Sequence, residues 1–112
     1  PTQDIQMWCD EGIKAGRDFM VFNGPDGTAS GLAWGAVGGI GGTYAAIPEL
    51  YLKIYDIVKI GDLTIALDIQ NDCCRIIYKL CPGNGNMYGM IKELLLRGWG
   101  PDCGSVLVPL TE

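Results

Sequence analysis

The 112-residue sequence predicts an α/β fold in which two short parallel strands alternate with helices and a helical layer follows. Two continuously apolar runs, residues 19–22 and 37–40, each come after a helical pattern and end at turn residues. From Pro48 onwards the apolar residues recur only at helical spacing. Strands that alternate with helices run parallel, which is the repeating unit of barrels and of doubly wound sheets.

The first half of the chain is predicted to run helix, strand, helix, strand. The first helix is indicated by apolar residues at helical spacing, namely Ile5, Trp8, Cys9 and Ile13. Thr2 is predicted to cap this helix and Gly16 to end it. The run at residues 19–22 is typical of a strand that is buried on both faces. Residues 28–36 then form a short helix before the weaker second strand.

Three consecutive helices are predicted in the second half. Pro48 opens the first helix at a position where its missing N–H costs nothing, and Gly61 ends it. Asp62 caps the second helix, and Asn86 caps the third, which runs to about Arg97. Three helices in a row cannot continue the alternation with strands, so we expect an appended helical layer.

Composition excludes several classes of function. The formal net charge is −5 and basic residues do not cluster, which argues against nucleic acid as a partner. Apolar stretches end well before the roughly 18 residues that span a bilayer, so no membrane segment is expected. The five cysteines form no C-x-x-C pair and histidine is absent, which argues against a metal site and predicts reduced thiols in the cytoplasm. Without histidine, Ser-His and Cys-His catalysis are excluded for this chain.

Three stretches carry a specific family resemblance: DFMVFNGPD at residues 18–26, GGIGGTY at 38–44 and PELYLK at 48–53. They resemble N-acetylneuraminate lyases of the dihydrodipicolinate synthase superfamily, and the likeness extends through residues 86–92. The resemblance implies the C-terminal part of a (β/α)8 TIM barrel, with strands seven and eight, their flanking helices and appended C-terminal helices. A complete barrel needs roughly 250 residues.

The resemblance also divides the chain. We expect one incomplete domain, in which residues 1–47 hold the last βα units of the barrel. Residues 48–112 then hold the eighth helix and the C-terminal helical layer.

The reaction implied by the resemblance is reversible cleavage of N-acetylneuraminate to N-acetylmannosamine and pyruvate through a lysine Schiff base, without a cofactor. In the family that lysine lies on the sixth strand, and the catalytic tyrosine and a Ser/Thr pair for the pyruvate carboxylate come from earlier strands. All five lysines here fall in predicted helices, whereas barrel chemistry gathers at the carboxyl ends of strands: Lys14, Lys53, Lys59, Lys79 and Lys92. We therefore expect no catalytic residue in this chain and no activity from it alone.

The loop after the first strand contains two predicted substrate-binding residues. Gly24 and Asp26 match family positions that contact the glycerol-like hydroxyls of the sugar. The alternative is a plain turn in which Asp26 caps the helix that begins at Thr28. Most lyases carry glutamate where this chain has Gly27, a departure that favours considering other 2-keto-3-deoxy acids as substrates.

The loop after the second strand contains three more predicted substrate-binding residues. Ile40, Gly41 and Gly42 match the family positions whose backbone lines the pyruvyl pocket. The alternative is a barrel corner that needs glycine for steric reasons. Some lyases carry serine at the position of Gly42. The large aromatic residues of the helices are predicted only to pack, namely Trp34, Trp99, Tyr51, Tyr55, Tyr78 and Tyr88.

The expected partners are small molecules, sialic acid and pyruvate, together with further copies of the same chain. Self-association is expected because barrels of this type assemble through such helical layers. The competing hypothesis is a non-catalytic fragment or paralogue that only self-associates, since an isolated strand pair exposes apolar edges.

Overall fold

The structure is a computed structural model that describes residues 2–17, 19–24, 27–80 and 86–110. Its elements, in chain order, are α1 (Thr2–Lys14), β1 (Phe22–Asn23), α2 (Thr28–Ala33), β2 (Gly38–Gly39), α3 (Pro48–Ile60), α4 (Leu63–Leu80) and α5 (Met87–Trp99). Helices and strands therefore follow one another in the predicted order.

The two strands form a parallel pair, as predicted. Phe22 lies opposite Gly38, and Asn23 lies opposite Gly39. The predicted strands are too long, since each observed strand has only two residues. Regular pairing requires the two runs to lie side by side, and they do so only over those residues. Single hydrogen bonds extend the contact at either end of the pair.

The two faces of β1 differ sharply in burial, so the prediction of a strand buried on both faces is wrong. Val21 is 8% exposed and Asn23 is 4% exposed, whereas Met20 and Phe22 are 62% and 52% exposed. Successive side chains of a strand point to opposite faces, which accounts for this alternation. The buried face packs against α2, and no described residue covers the other.

The uncovered side of the sheet continues onto β2. A Cβ atom on Gly38 would lie 3.1 Å from the Phe22 ring, so these two positions share a face. Ile40, two residues after Gly38, is 72% exposed. We call Met20, Phe22 and Ile40 the open face.

Helix α2 lies directly on the buried face of β1. A Cβ atom on Gly31 would lie 2.6 Å from the Cβ of Asn23, so only glycine allows this approach. The Asn23 amide donates to the Gly27 carbonyl at 3.2 Å, just before α2 begins. The N–H of Ala29 donates to the side-chain oxygen of Gln70 at 3.0 Å, which joins the first turn of α2 to α4 across 41 residues. This bond satisfies a helix N-terminal N–H that has no partner within its own helix.

The core lies where α2, α3 and α4 meet. Its buried members are Ala29, Tyr51, Ile54, Ala66 and Cys73. Helix α3 contributes Ile54 directly, and Ile57 and Val58 pack against the core from the side. The α3–α4 pair therefore holds α2, and through α2 the strands.

The predicted starts of the three C-terminal helices are confirmed. Pro48 occupies the first turn of α3. The Asp62 carboxylate accepts the N–H of Ile65 at 3.2 Å at the start of α4. The Asn86 side chain accepts the N–H of Gly89 at 3.0 Å at the start of α5. Each is local chemistry that sequence alone specifies.

Glycines end the helices where the sequence predicts. Gly16 follows α1 with φ +63°, and Gly61 follows α3 with φ +97°, both in the left-handed region that glycine adopts without strain. Helix α1 begins at Thr2 itself rather than after it. Residues 82–85 have the sequence Pro-Gly-Asn-Gly, which is typical of a turn, but they lie outside the described residues.

Several side chains are less buried than the sequence suggests. Tyr51 packs in the core as predicted, but Tyr78, Tyr88 and Trp99 are exposed, because the described residues place nothing over these sides of α4 and α5. Within the described ranges, no disulfide joins the four cysteines Cys9, Cys73, Cys74 and Cys103. Cys81 lies outside those ranges. No helix among the described residues combines the length and the apolar character needed to cross a lipid bilayer.

Candidate functional site

The carboxyl ends of β1 and β2 lie side by side and bring together three of the five predicted substrate residues. Gly24 directly follows β1, and Ile40 and Gly41 directly follow β2. The N–H of Ile40 donates to the Asn23 carbonyl at 2.8 Å, so both loops leave the same edge of the sheet. This is the edge at which parallel α/β folds place their binding sites.

The remaining two predicted residues are placed differently. Gly42 lies one residue further along the second loop, where an added Cβ would be 3.6 Å from the Met87 side chain at the start of α5. Asp26 lies outside the described residues. The alternative in which Asp26 caps α2 therefore stays a prediction. The residue that directly precedes α2 is Gly27.

Two of the predicted glycines are not required by crowding within the described structure. A Cβ on Gly24 would meet nothing within 4 Å, and one on Gly42 would make only ordinary contact. In β2, by contrast, crowding does require glycine at Gly39, where a Cβ would overlap the hydroxyl oxygen of Tyr44. The backbone at Gly24 is thus open to an incoming molecule.

Two hydroxyl pairs fix the loop that follows β2, and no local sequence pattern points to them. Thr43 is fully buried, and its hydroxyl shares a 2.6 Å hydrogen bond with that of Tyr51 on α3. The Tyr44 hydroxyl shares a 2.6 Å hydrogen bond with that of Thr28, the first residue of α2. The rings of Tyr44 and Tyr51 lie 4.2 Å apart between centroids. The loop is therefore tied to both neighbouring helices.

An apolar cleft of about 470 Å³ opens beside the strands and the first half of α3. It is lined mainly by apolar and aromatic side chains, including Phe22, Val37, Tyr44, Tyr51, Leu52 and Tyr55. Of the predicted substrate residues that the structure describes, none lines this cleft. The cleft has the character of a packing surface rather than of a polar sugar site.

The five lysines all lie in helices, as predicted: Lys14 in α1, Lys53 and Lys59 in α3, Lys79 in α4 and Lys92 in α5. Lys14 pairs with Asp10 at 2.7 Å on the surface of α1. The Lys92 ammonium donates to the Ser105 carbonyl at 2.8 Å.

Lys59 lies over the Tyr55 ring, 4.4 Å from its centroid. A hydrogen bond and the charge interaction with Tyr55 raise the pKa of Lys59 above its ordinary value. A Schiff-base nucleophile needs the opposite shift, because only the neutral amine attacks a carbonyl carbon. Among the described residues, no three cysteine or acidic side chains converge on a point where they could hold a metal ion.

Comparison with known proteins gives consistent matches over nearly the whole chain. A family model described as the dihydrodipicolinate synthetase family matches residues 2–112. The chain is 48% identical over 111 residues to an N-acetylneuraminate lyase of Mediterraneibacter gnavus, a match that covers 98% of this chain and 34% of that protein. It is 36% identical over 98 residues to N-acetylneuraminate lyase 2 of Escherichia coli, covering 85% of this chain and 32% of that protein.

Solved structures show the same similarity in three dimensions. The wild-type sialic acid aldolase of Ruminococcus gnavus superposes with a TM-score of 0.89 at 48% identity, covering 98% of this chain and 36% of that one. A catalytic lysine mutant of the same aldolase superposes equally well, covering 35% of its chain. The present chain thus spans about a third of the length of the relatives it matches.

Proposed function

The chain belongs to the dihydrodipicolinate synthetase family, and from this membership we propose that it is the C-terminal part of an N-acetylneuraminate lyase. In this proposal β1 and β2 are strands seven and eight of a (β/α)8 barrel, and α3 to α5 are the eighth helix and the appended helical layer. The observation that carries the proposal is the 48% identity and TM-score of 0.89 over 98% of the chain. The reaction would be cleavage of N-acetylneuraminate to N-acetylmannosamine and pyruvate.

The two loops at the carboxyl edge of the sheet would each bind one end of the substrate. Gly24 and Asp26 would contact the distal hydroxyls of the sugar, and the backbone of Ile40, Gly41 and Gly42 would line the pyruvyl pocket. The shared edge of β1 and β2 supports this division, since the two loops leave the sheet next to each other. The open surroundings of Gly24 support it as well, because a ligand can approach its backbone.

The proposed chemistry requires a nucleophile from outside this chain. All five lysines lie in helices, away from the strand ends where barrel enzymes react. Tyr55 raises the pKa of Lys59, which is the opposite of the shift that an attacking amine requires. We therefore propose that the chain contributes substrate contacts and barrel architecture, and that alone it is inactive.

Borohydride reduction in the presence of pyruvate tests this proposal, because it converts a lysine Schiff base into a stable adduct. The isolated chain should remain unlabelled. We define the hybrid lyase as the Mediterraneibacter gnavus enzyme in which residues 2–112 of this chain replace the matching third. The hybrid lyase should gain one adduct, on a lysine outside this chain. A trapped adduct on Lys14, Lys53, Lys59, Lys79 or Lys92 would overturn the proposal.

Two alternatives each rest on one observation. The exposed side chains of the open face favour a non-catalytic fragment that only self-associates, in which case the hybrid lyase would form no adduct. Gly27, where most lyases carry glutamate, favours an aldolase for another 2-keto-3-deoxy acid. The hybrid lyase would then cleave such an acid with a higher kcat/KM than N-acetylneuraminate. In each case we propose a homo-oligomer that works in the cytoplasm.

A further inference from the structure

We propose that Thr28 and Tyr44 are a pair of positioning residues that hold the two substrate loops at a fixed separation. The inference rests on the proposed function and goes beyond it, since neither side chain belongs to the proposed set of substrate contacts. The hydrogen bond of this one pair would hold the two loops at the distance that a substrate spanning both of them requires.

The Thr28 and Tyr44 hydroxyls each lie at the end of one of the two loops. Thr28 is the first residue of α2 and is buried, so it ends the loop that begins at Gly24. Tyr44 ends the glycine turn that begins after β2, two residues beyond Gly42. The 2.6 Å bond between their hydroxyls is thus a direct link from one loop to the other.

The Tyr44 ring is held in place independently of that bond. It packs against the Tyr51 ring at a tilt of 32°, with 4.2 Å between ring centroids, and the Tyr51 hydroxyl is itself hydrogen-bonded to Thr43. The Tyr44 hydroxyl also lies so close to Gly39 that any side chain there would overlap it. Removing the Tyr44 hydroxyl alone should therefore leave the ring in place. Any loss of substrate binding can then be assigned to the missing bond between the loops.

The bond between Thr28 and Tyr44 should affect the binding of N-acetylneuraminate but not that of pyruvate. Pyruvate occupies only the pocket that the loop after β2 lines in the proposed function. N-acetylneuraminate extends from that pocket to the loop after β1, so its binding depends on the separation of the two loops. A positioning role therefore predicts a loss that is specific to the longer substrate.

Substitutions in the hybrid lyase test the pair. Tyr44→Phe and Thr28→Val should each raise KM for N-acetylneuraminate by about threefold to tenfold, the effect expected for one hydrogen bond. Borohydride trapping of pyruvate should be unchanged in both. The double variant should lose no more than either single variant, because both remove the same bond. Thr28→Ser keeps a hydroxyl and should retain most of the binding, and Tyr78→Phe on the exposed side of α4 is the matched control.

Amide hydrogen exchange on the isolated chain gives a second measurement that needs no activity. Tyr44→Phe should speed exchange at the end of the first loop, residues 27–28, and in the second loop, residues 40–44, whereas Tyr78→Phe should speed neither. The assignment is overturned if the active hybrid keeps its KM, if the two losses add, or if pyruvate trapping falls in parallel with KM. It is overturned as well if exchange rises only in the loop that carries the substitution. A wild-type hybrid that traps no pyruvate instead contradicts the proposed function itself.

Discussion

Among single residues, Asp26 separates the two interpretations of the first loop. In the hybrid lyase, Asp26→Asn should weaken sugar binding by about 1–3 kcal/mol, the scale of a hydrogen bond to a charged group. Pyruvate trapping should persist, because the other loop lines the pyruvyl pocket. The measurement is the KM for N-acetylneuraminate beside the yield of borohydride adduct.

Asp62→Asn is the matched control for that substitution. Asp62 caps α4 through its bond to Ile65, and asparagine caps a helix about as well as aspartate, so neither sugar binding nor stability should change. If Asp26→Asn behaves in the same way, the residue is only a cap. Equal loss of sugar binding and pyruvate trapping would also contradict its assignment to the sugar.

At the scale of elements, the close packing of α2 on β1 depends on Gly31, which has no side chain. Gly31→Ala would place a Cβ against Asn23, which is buried and bonded to Gly27, so the helix or the strand must shift. We expect a loss of about 1–3 kcal/mol in the free energy of unfolding, the usual cost of overpacking. Denaturant unfolding of the isolated chain measures it.

Gly98→Ala provides the comparison, since it makes the same change where nothing lies within 4 Å. It lies within α5, where alanine should stabilise the fold by about 0.4–1 kcal/mol by restricting the unfolded chain. The two substitutions should thus have opposite signs. A neutral Gly31→Ala would mean that α2 does not rest on β1 as described.

The elements also show what sequence could and could not predict. Helix ends were predicted well because their causes are local: Pro48 and Gly61 act through their own backbone, and Asp62 and Asn86 each bond to an N–H three residues further along. Strand lengths were overestimated, because they depend on how far two distant runs lie side by side. The bond between Thr28 and Tyr44 was missed for the same reason, since its partners are 16 residues apart and meet only in the folded chain.

For the whole molecule, the open face predicts self-association of the isolated chain. Met20, Phe22 and Ile40 are more than half exposed on one side of the sheet, and no other described strand pairs with the outer edges of β1 and β2. Sedimentation equilibrium should show a mass that rises with concentration, and Met20→Glu should reduce this association.

Val108→Glu, in the exposed C-terminal tail, is the control and should leave the association unchanged. In the hybrid lyase the remaining barrel would cover the open face, so Met20→Glu should there reduce the yield of folded enzyme. An isolated chain that stays monomeric at all concentrations would contradict the prediction.

The bond between Ala29 and Gln70 also bears on how the chain is made. The ribosome releases the strands and α2 first, whereas Gln70, which meets the first turn of α2, follows 41 residues later. At ordinary rates of translation this interval lasts about 2–8 seconds. During that time α2 lacks the bond that joins its first turn to α4, so its packing on the buried face of β1 is not yet secured. We therefore expect that a chaperone protects this face of β1 during synthesis, until α4 has been made.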